Sequence, residues 1–148
     1  MSILIAYDGS EDAKAAIEYA AKHLKPEPVV VLSVWEPLLV QLRHYPAAGA
    51  ALLAADPSAE SKAAAEHNAA EGAELAKQAG LTEVSARAVA DTESIWRTIL
   101  DTADEIDASV IVTGSRGLNG VASVLLGSVS NHVLHHARRP IMVVPRKG

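Results

Sequence analysis

The sequence predicts an α/β domain, a single doubly wound parallel sheet of five strands with helices on both faces. Three observations predict it. Five short apolar segments alternate with four segments of helical spacing, which is the order a right-handed βαβ winding requires. Several of the strand segments are near-continuous apolar runs, as expected of strands covered on both faces. The 148 residues are 49% apolar yet contain no Phe and only 3% aromatics, so the core must come from Ala, Val, Leu and Ile.

The elements follow in order. Ile3 to Tyr7 is a short apolar run closed by Asp8-Gly9-Ser10, and it reads as the first strand. Ala13, Ile17, Ala20 and Leu24 then recur at helical spacing, with Glu11 and Asp12 suited to a helix N-terminus. "PVVVLSVWEP", bounded by Pro28 and Pro37, is a β-branched run that predicts a central strand. From Leu38 to Pro57 periodicity fails, and Pro46, Gly49 and Pro57 punctuate a Leu- and Ala-rich stretch. Residues 38 to 58 are therefore expected to form a flexible loop, a length that in a compact domain marks a functional or mobile segment. Ser58 to Ala79 is rich in Ala, Glu and Lys and is stopped by Gly80, which predicts the second helix with a solvated charged face. "VSARAV" at 84 to 89 alternates, as an edge strand with one exposed face does. Ile95, Ile99, Thr102 and Ile106 form a third helical stripe. "SVIVT" at 109 to 113 is the fourth strand, Val129, Val133 and Ala137 mark the fourth helix, and "PIMVVP" holds the fifth strand.

Composition excludes several functions. A net charge of −5 opposes general binding to nucleic acid or an anionic membrane, and zero Cys removes disulfides, thiolate metal sites and cysteine nucleophiles together. The opening "MSILIAYDGS" lacks a basic leader, and the Ala-rich run at 47 to 55 is too short to span a bilayer. A soluble, uncleaved, cytoplasmic protein of one domain over 1 to 148 is expected.

In doubly wound sheets ligands sit outside the carboxyl ends of the strands, where strand order reverses. Two loops leave such ends with suitable chemistry: Asp8-Gly9-Ser10 and the segment from Gly114 onward. The second reads "GSRGLNGVASVLLGSVS", with Gly114, two residues, Gly117, nine residues, Gly127 and Ser128, and no acidic residue. The first glycines allow a sharp turn and close approach of bare backbone to a ligand. Gly127, Ser128 and Val129 fall where the fourth helix begins, so their free N–H groups and the helix dipole would face an anion. Ser128 and Ser130 add hydroxyls, and Arg116 adds charge or serves the surface. Spacing alone leaves a phosphate cradle and a turn with a helix cap both open. No lysine follows Gly127, so this is not a P-loop.

Here the chain resembles a known family. "GSRGLNGVASVLLGSVSNHVLHHARRPIMVV" is similar to the C-terminal signature of the universal stress proteins, and "ILIAYDGSEDAKAAIEYAA" to their opening strand and helix. The likeness covers most of the chain except 38 to 58, and the full glycine set matches the ATP-binding branch. It implies a Rossmann-like nucleotide-binding fold with strand order 3-2-1-4-5 and a homodimeric, ATP-binding regulatory protein of the stress response, without catalytic residues. By position it implies Gly114, Gly117, Gly127, Ser128 and Val129 around ribose and phosphates, Asp8 and Val34 near the base, and Ala6 and Thr113 lining the pocket. The turn "VADTES" departs from the pattern, with Ala90 where the family often has Gly.

Alternatives attach to single residues. Asp8 either contacts the ligand, including its Mg²⁺, or caps the turn into the first helix. His132 and His136 have metal-pair spacing, but no HExxH glutamate or third ligand accompanies them, so they are expected on the helix surface or partly packed. Trp35 and Trp96 are expected to fill core volume. The uniformly apolar strand Ile141, Met142, Val143, Val144 lies at an edge in the order 3-2-1-4-5, and pairing with a second copy would cover it. Two other functions stand against the nucleotide-dependent regulator: a slow ATPase or nucleotidyl-transfer enzyme, and a nucleotide-free dimeric adaptor. No general base, arginine pair or second acid accompanies the glycine loop, which opposes fast phosphoryl transfer.

Overall fold

A computed structural model describes residues 1–115 and 128–145. Five parallel strands, β1 (Ser2–Ala6), β2 (Val29–Trp35), β3 (Val84–Ala90), β4 (Ala108–Gly114) and β5 (Ile141–Val144), form one sheet in the order β3-β2-β1-β4-β5. The register aligns Ile3 with Val29 on one side and with Val110 on the other, so β1 is the central strand. The reversal of strand order falls between β1 and β4.

Alternate residues of each central strand feed two cores. Ile3, Ile5, Val29 and Val31 face one side, under α1 (Glu11–His23) and α4 (Ser58–Gln78), while Leu4, Val30, Leu32 and Ile111 face the other, under α5 (Ile95–Glu105) and α6 (Ser128–His136). Burial on both faces is what makes the strand sequences read as unbroken apolar runs. Each fully buried Ile, Leu or Val contributes about 1.5–3 kcal/mol. On α4 the inward stripe is Ala65, Ala69, Gly72, Ala73 and Ala76, small side chains that let the helix lie close to the sheet.

Helix boundaries follow local chemistry. Ser10 caps α1 by accepting from the Ala13 N–H at 3.2 Å, Glu11 and Asp12 occupy its first turn, and Ser94 caps α5 through the Arg97 N–H. Gly80 follows α4 with φ +106°, as a stop signal should.

The expectation of an irregular stretch over 38 to 58 is corrected. It contains α2 (Leu38–His44), a 3₁₀ turn (Pro46–Ala48) and α3 (Gly49–Ala55). Periodicity was absent because these helices bury almost nothing: Val40 is the one buried residue of α2, and α3 has none. α2 is held by polar ties instead, with Leu38 N–H donating to Ser58 Oγ at 2.8 Å and Gln41 Nε2 donating to the Glu36 carbonyl at 2.7 Å.

Edge positions came out as expected. β3, the alternating strand, closes one side of the sheet and β5 the other. β5 pairs with β4 alone, from Ile111 beside Ile141 to Gly114 beside Val144, and its first three residues are half-buried. Among the described residues no helix is long and apolar enough to cross a membrane.

Candidate functional site

β1 and β4 are parallel neighbours, so the residues that leave their carboxyl ends, the Tyr7–Ser10 loop and the start of the β4 loop at Ser115, lie on one side of the sheet next to each other. Each loop is fixed by short-range chemistry. Beyond β1, the Tyr7 N–H extends the ladder to the Leu32 carbonyl at 2.8 Å, and the Ser33 hydroxyl donates to the Tyr7 carbonyl at 2.6 Å. Asp8 Oδ1 then accepts from the Ser10 N–H at 2.9 Å, and Gly9 turns with φ +84°. The capping role anticipated for Asp8 is thus present.

Gly114 ends β4 against the first turn of α1. A Cβ on it would stand 2.7 Å from the carbonyl carbon of Asp12, so only glycine permits the approach. The adjacent Ser115 hydroxyl donates to Asp12 Oδ2 at 2.7 Å, and the Ser115 N–H continues the ladder to the Val144 carbonyl. From the start of α6 the Ser130 hydroxyl donates to the Gly114 carbonyl at 2.6 Å, while the Thr113 and Ser130 hydroxyls lie 3.3 Å apart. β4, α1 and α6 are therefore clamped together around Gly114.

The sequence-predicted residues divide accordingly. Ala6, Asp8, Thr113 and Gly114 come from the two facing strand ends, and Val34 from the end of β2. Ser128, Val129 and Ser130 form the first turn of α6, although the Ser130 side chain is buried and ties the loop rather than facing open solvent. Arg116, Gly117 and Gly127 lie outside the described residues. Trp96 is half-buried over the second core, with the exposed rings of His132 and His136 stacked on it at 5.4 and 4.5 Å. Trp35 is half-buried at the end of β2. Among the described residues no group of three His, Cys, Asp or Glu side chains is placed to hold a metal.

Two contributors were missed in the sequence. Asp12 has the sequence position of a helix-terminus charge, yet it is 2% exposed and holds Ser115 at the end of β4. Asn68 of α4 reaches across, its Nδ2 donating to the Asp8 carbonyl at 3.4 Å and its Oδ1 packing beside Gly9. The i,i+3 and i,i+4 stripe that Asn68 shares with Ala65, Ala69 and Gly72 on α4 is the signal that it faces inward. Tyr7 adds a further tie: its hydroxyl donates to Glu71 of α4. Burial and then that hydrogen bond to the carboxylate push the Tyr7 phenol well above the ordinary tyrosine range, so it stays a donor.

The fold defines a class: a doubly wound α/β domain whose strand order reverses between β1 and β4, with the start of α6 tied to the end of β4. The universal stress protein family model matches residues 1–145, and the chain belongs to that family. A universal stress protein of Mycolicibacterium smegmatis is 30% identical over 147 residues, covering 96% of this chain. This chain spans only 47% of that protein's length. Among solved structures, the Archaeoglobus fulgidus universal stress protein in complex with dAMP has a TM-score of 0.71 and 22% identity, covering 97% of each chain. An Arabidopsis thaliana family protein with AMP bound has a TM-score of 0.66 and 17% identity over 100% of this chain and 93% of its own. The structural likeness establishes the shared fold.

Proposed function

We propose that this domain binds ATP beside the carboxyl ends of β1 and β4 and acts as a nucleotide-dependent regulator in a cytoplasmic stress response rather than as an enzyme. The observation that carries the reading is the packing of Gly114 on Asp12, which, with the Ser115 and Ser130 hydrogen bonds, holds the end of β4 and the start of α6 beside α1 and the Asp8-Gly9-Ser10 turn that leads into it. The complexes of fold neighbours with adenine nucleotides support the choice of ligand. The residues fit it: the first N–H groups of α6 suit a phosphate, and Gly114 packed on Asp12 lets the end of β4 lie close to α1. In this reading Ala6, Val34 and Asp8 take the base side, Gly114, Gly117, Gly127, Ser128 and Val129 the ribose and phosphates, and Thr113 and Ser130 hold the wall. Arg116 adds positive charge. Magnesium, where it accompanies the nucleotide, would be held chiefly by the phosphates.

The half-buried edge formed by Ile141, Met142 and Val143 supports a homodimer through β5, since an open apolar strand edge favours pairing. An apparent mass of one chain, 15.5 kDa, in dilute solution would refute it.

The test strips copurified ligand and titrates ATP, ADP and AMP with and without Mg²⁺, then follows the nucleotide by chromatography for hours. Saturable binding that Gly127→Val weakens at least tenfold, with ATP recovered intact, is expected. Absence of binding at micromolar protein defeats the proposal, and turnover abolished by Asp8→Ala replaces it with the enzyme.

A further inference from the structure

Directly after β3 comes Asp91. Its N–H donates to the Trp35 carbonyl at 2.9 Å, extending the β2–β3 ladder by one step. The residue is 1% exposed, and neither carboxylate oxygen has a hydrogen-bond partner. An ionised carboxylate so placed is strongly disfavoured, because water is excluded and no donor replaces it.

The last turn of α2 crosses this point. Arg43 Nη2 donates to the Thr92 carbonyl at 2.6 Å, and His44 Nε2 to the Glu93 carbonyl at 3.1 Å. His44 Nδ1 faces Glu36 Oε1 at 3.5 Å. Both ring nitrogens thus face oxygens. Arg43 and His44 are engaged by backbone carbonyls and Glu36, and neither supplies Asp91 with a hydrogen bond. On the α5 side, Arg97 is paired with Glu93 at 3.7 Å. With Val40 its one buried residue, α2 has little apolar area to lose by lifting.

We propose that α2 is a proton-operated latch, closed over the ends of β2 and β3 while Asp91 is protonated and released when Asp91 ionises. Burial first, and then the neighbouring Glu36, hold the Asp91 carboxyl up at about 6 against the opposing pull of His44 and Arg43. In the open state water reaches Asp91 and its ordinary value of 3.8 returns. The closed form, whose carboxyl holds its proton more tightly, is favoured at acid pH and weakens as pH rises through 6. The expected change in the closed-to-open ratio is about tenfold between pH 5 and pH 8.

Amide hydrogen exchange in the nucleotide-free full chain tests the latch, with rates corrected for intrinsic pH dependence. Protection at Gln41 and Tyr45, whose N–H groups bond to the Pro37 and Gln41 carbonyls, should fall about tenfold from pH 5 to pH 8. Asp91→Asn should hold it constant, while α4 amides stay protected in both proteins. Constant protection in the native chain, or an identical fall in Asp91→Asn, overturns the proposal. A second variant, Glu36→Gln, removes the like charge and should move the midpoint to lower pH; an unmoved midpoint also counts against the latch.

Discussion

Gly114 and Asp12 meet with no room for a side chain between them: a Cβ on Gly114 would lie 2.7 Å from both the carbonyl carbon and the Cβ of Asp12. Both partners are rigid, one a strand end and the other the first turn of a helix. Gly114→Ala should therefore destabilise the fold by about 1–3 kcal/mol through overpacking. Denaturant unfolding measures the loss. If this site holds nucleotide, the same variant should also weaken ATP binding, because Ser115 and Ser130 take their positions from that contact.

A second close approach lies at Gly72 of α4, where a Cβ would stand 2.7 Å from Val31 Cγ1 and 2.8 Å from Tyr7 Cδ1. In an ordinary helix interior, replacing Gly by Ala gains about 1 kcal/mol. Here the sign should reverse, with Gly72→Ala losing about 1–3 kcal/mol and lowering Tm by several degrees. Calorimetry distinguishes the two outcomes directly.

Asp91 makes stability pH-dependent in an unusual direction for a carboxylate. Its folded-state value of about 6 lies above the 3.8 of a free aspartate, so its contribution is complete below 3.8 and is lost as pH rises through 6. Asp91→Asn removes this dependence. The variant should be more stable than the native chain at pH 8, by up to about 3 kcal/mol, and should lose that advantage toward pH 4. Urea midpoints across this range check it. An advantage that grows toward acid pH would contradict the assignment.

How much of this was legible in the sequence follows from what each element buries. β1, β2 and β4 announce themselves because both faces are covered, and α5 because Ile99, Thr102 and Ala103 share a buried stripe. α2 and α3 gave no such pattern, since a helix held by Arg43, His44 and Gln41 on backbone carbonyls has no apolar period to display. Within the site, Asp8 and Gly114 were readable from their places at strand ends. Asp12 and Asn68 were not, because their roles arise only when α1 and α4 pack against loops far away in sequence. Nothing in "VADTES" separates Asp91 from an ordinary turn residue; its burial depends on the helix laid over it.

The proposed ATP site lies beside the carboxyl ends of β1 and β4. Backbone amide chemical shifts of the nucleotide-free protein, followed by NMR during an ATP titration, test it most directly. Saturable shifts concentrated at Gly9, Ser10, Gly114, Ser115 and Ser128 to Ser130 are expected, with β3 and the core of α4 unmoved. Shifts confined to other surfaces, or none at millimolar ATP, would contradict it.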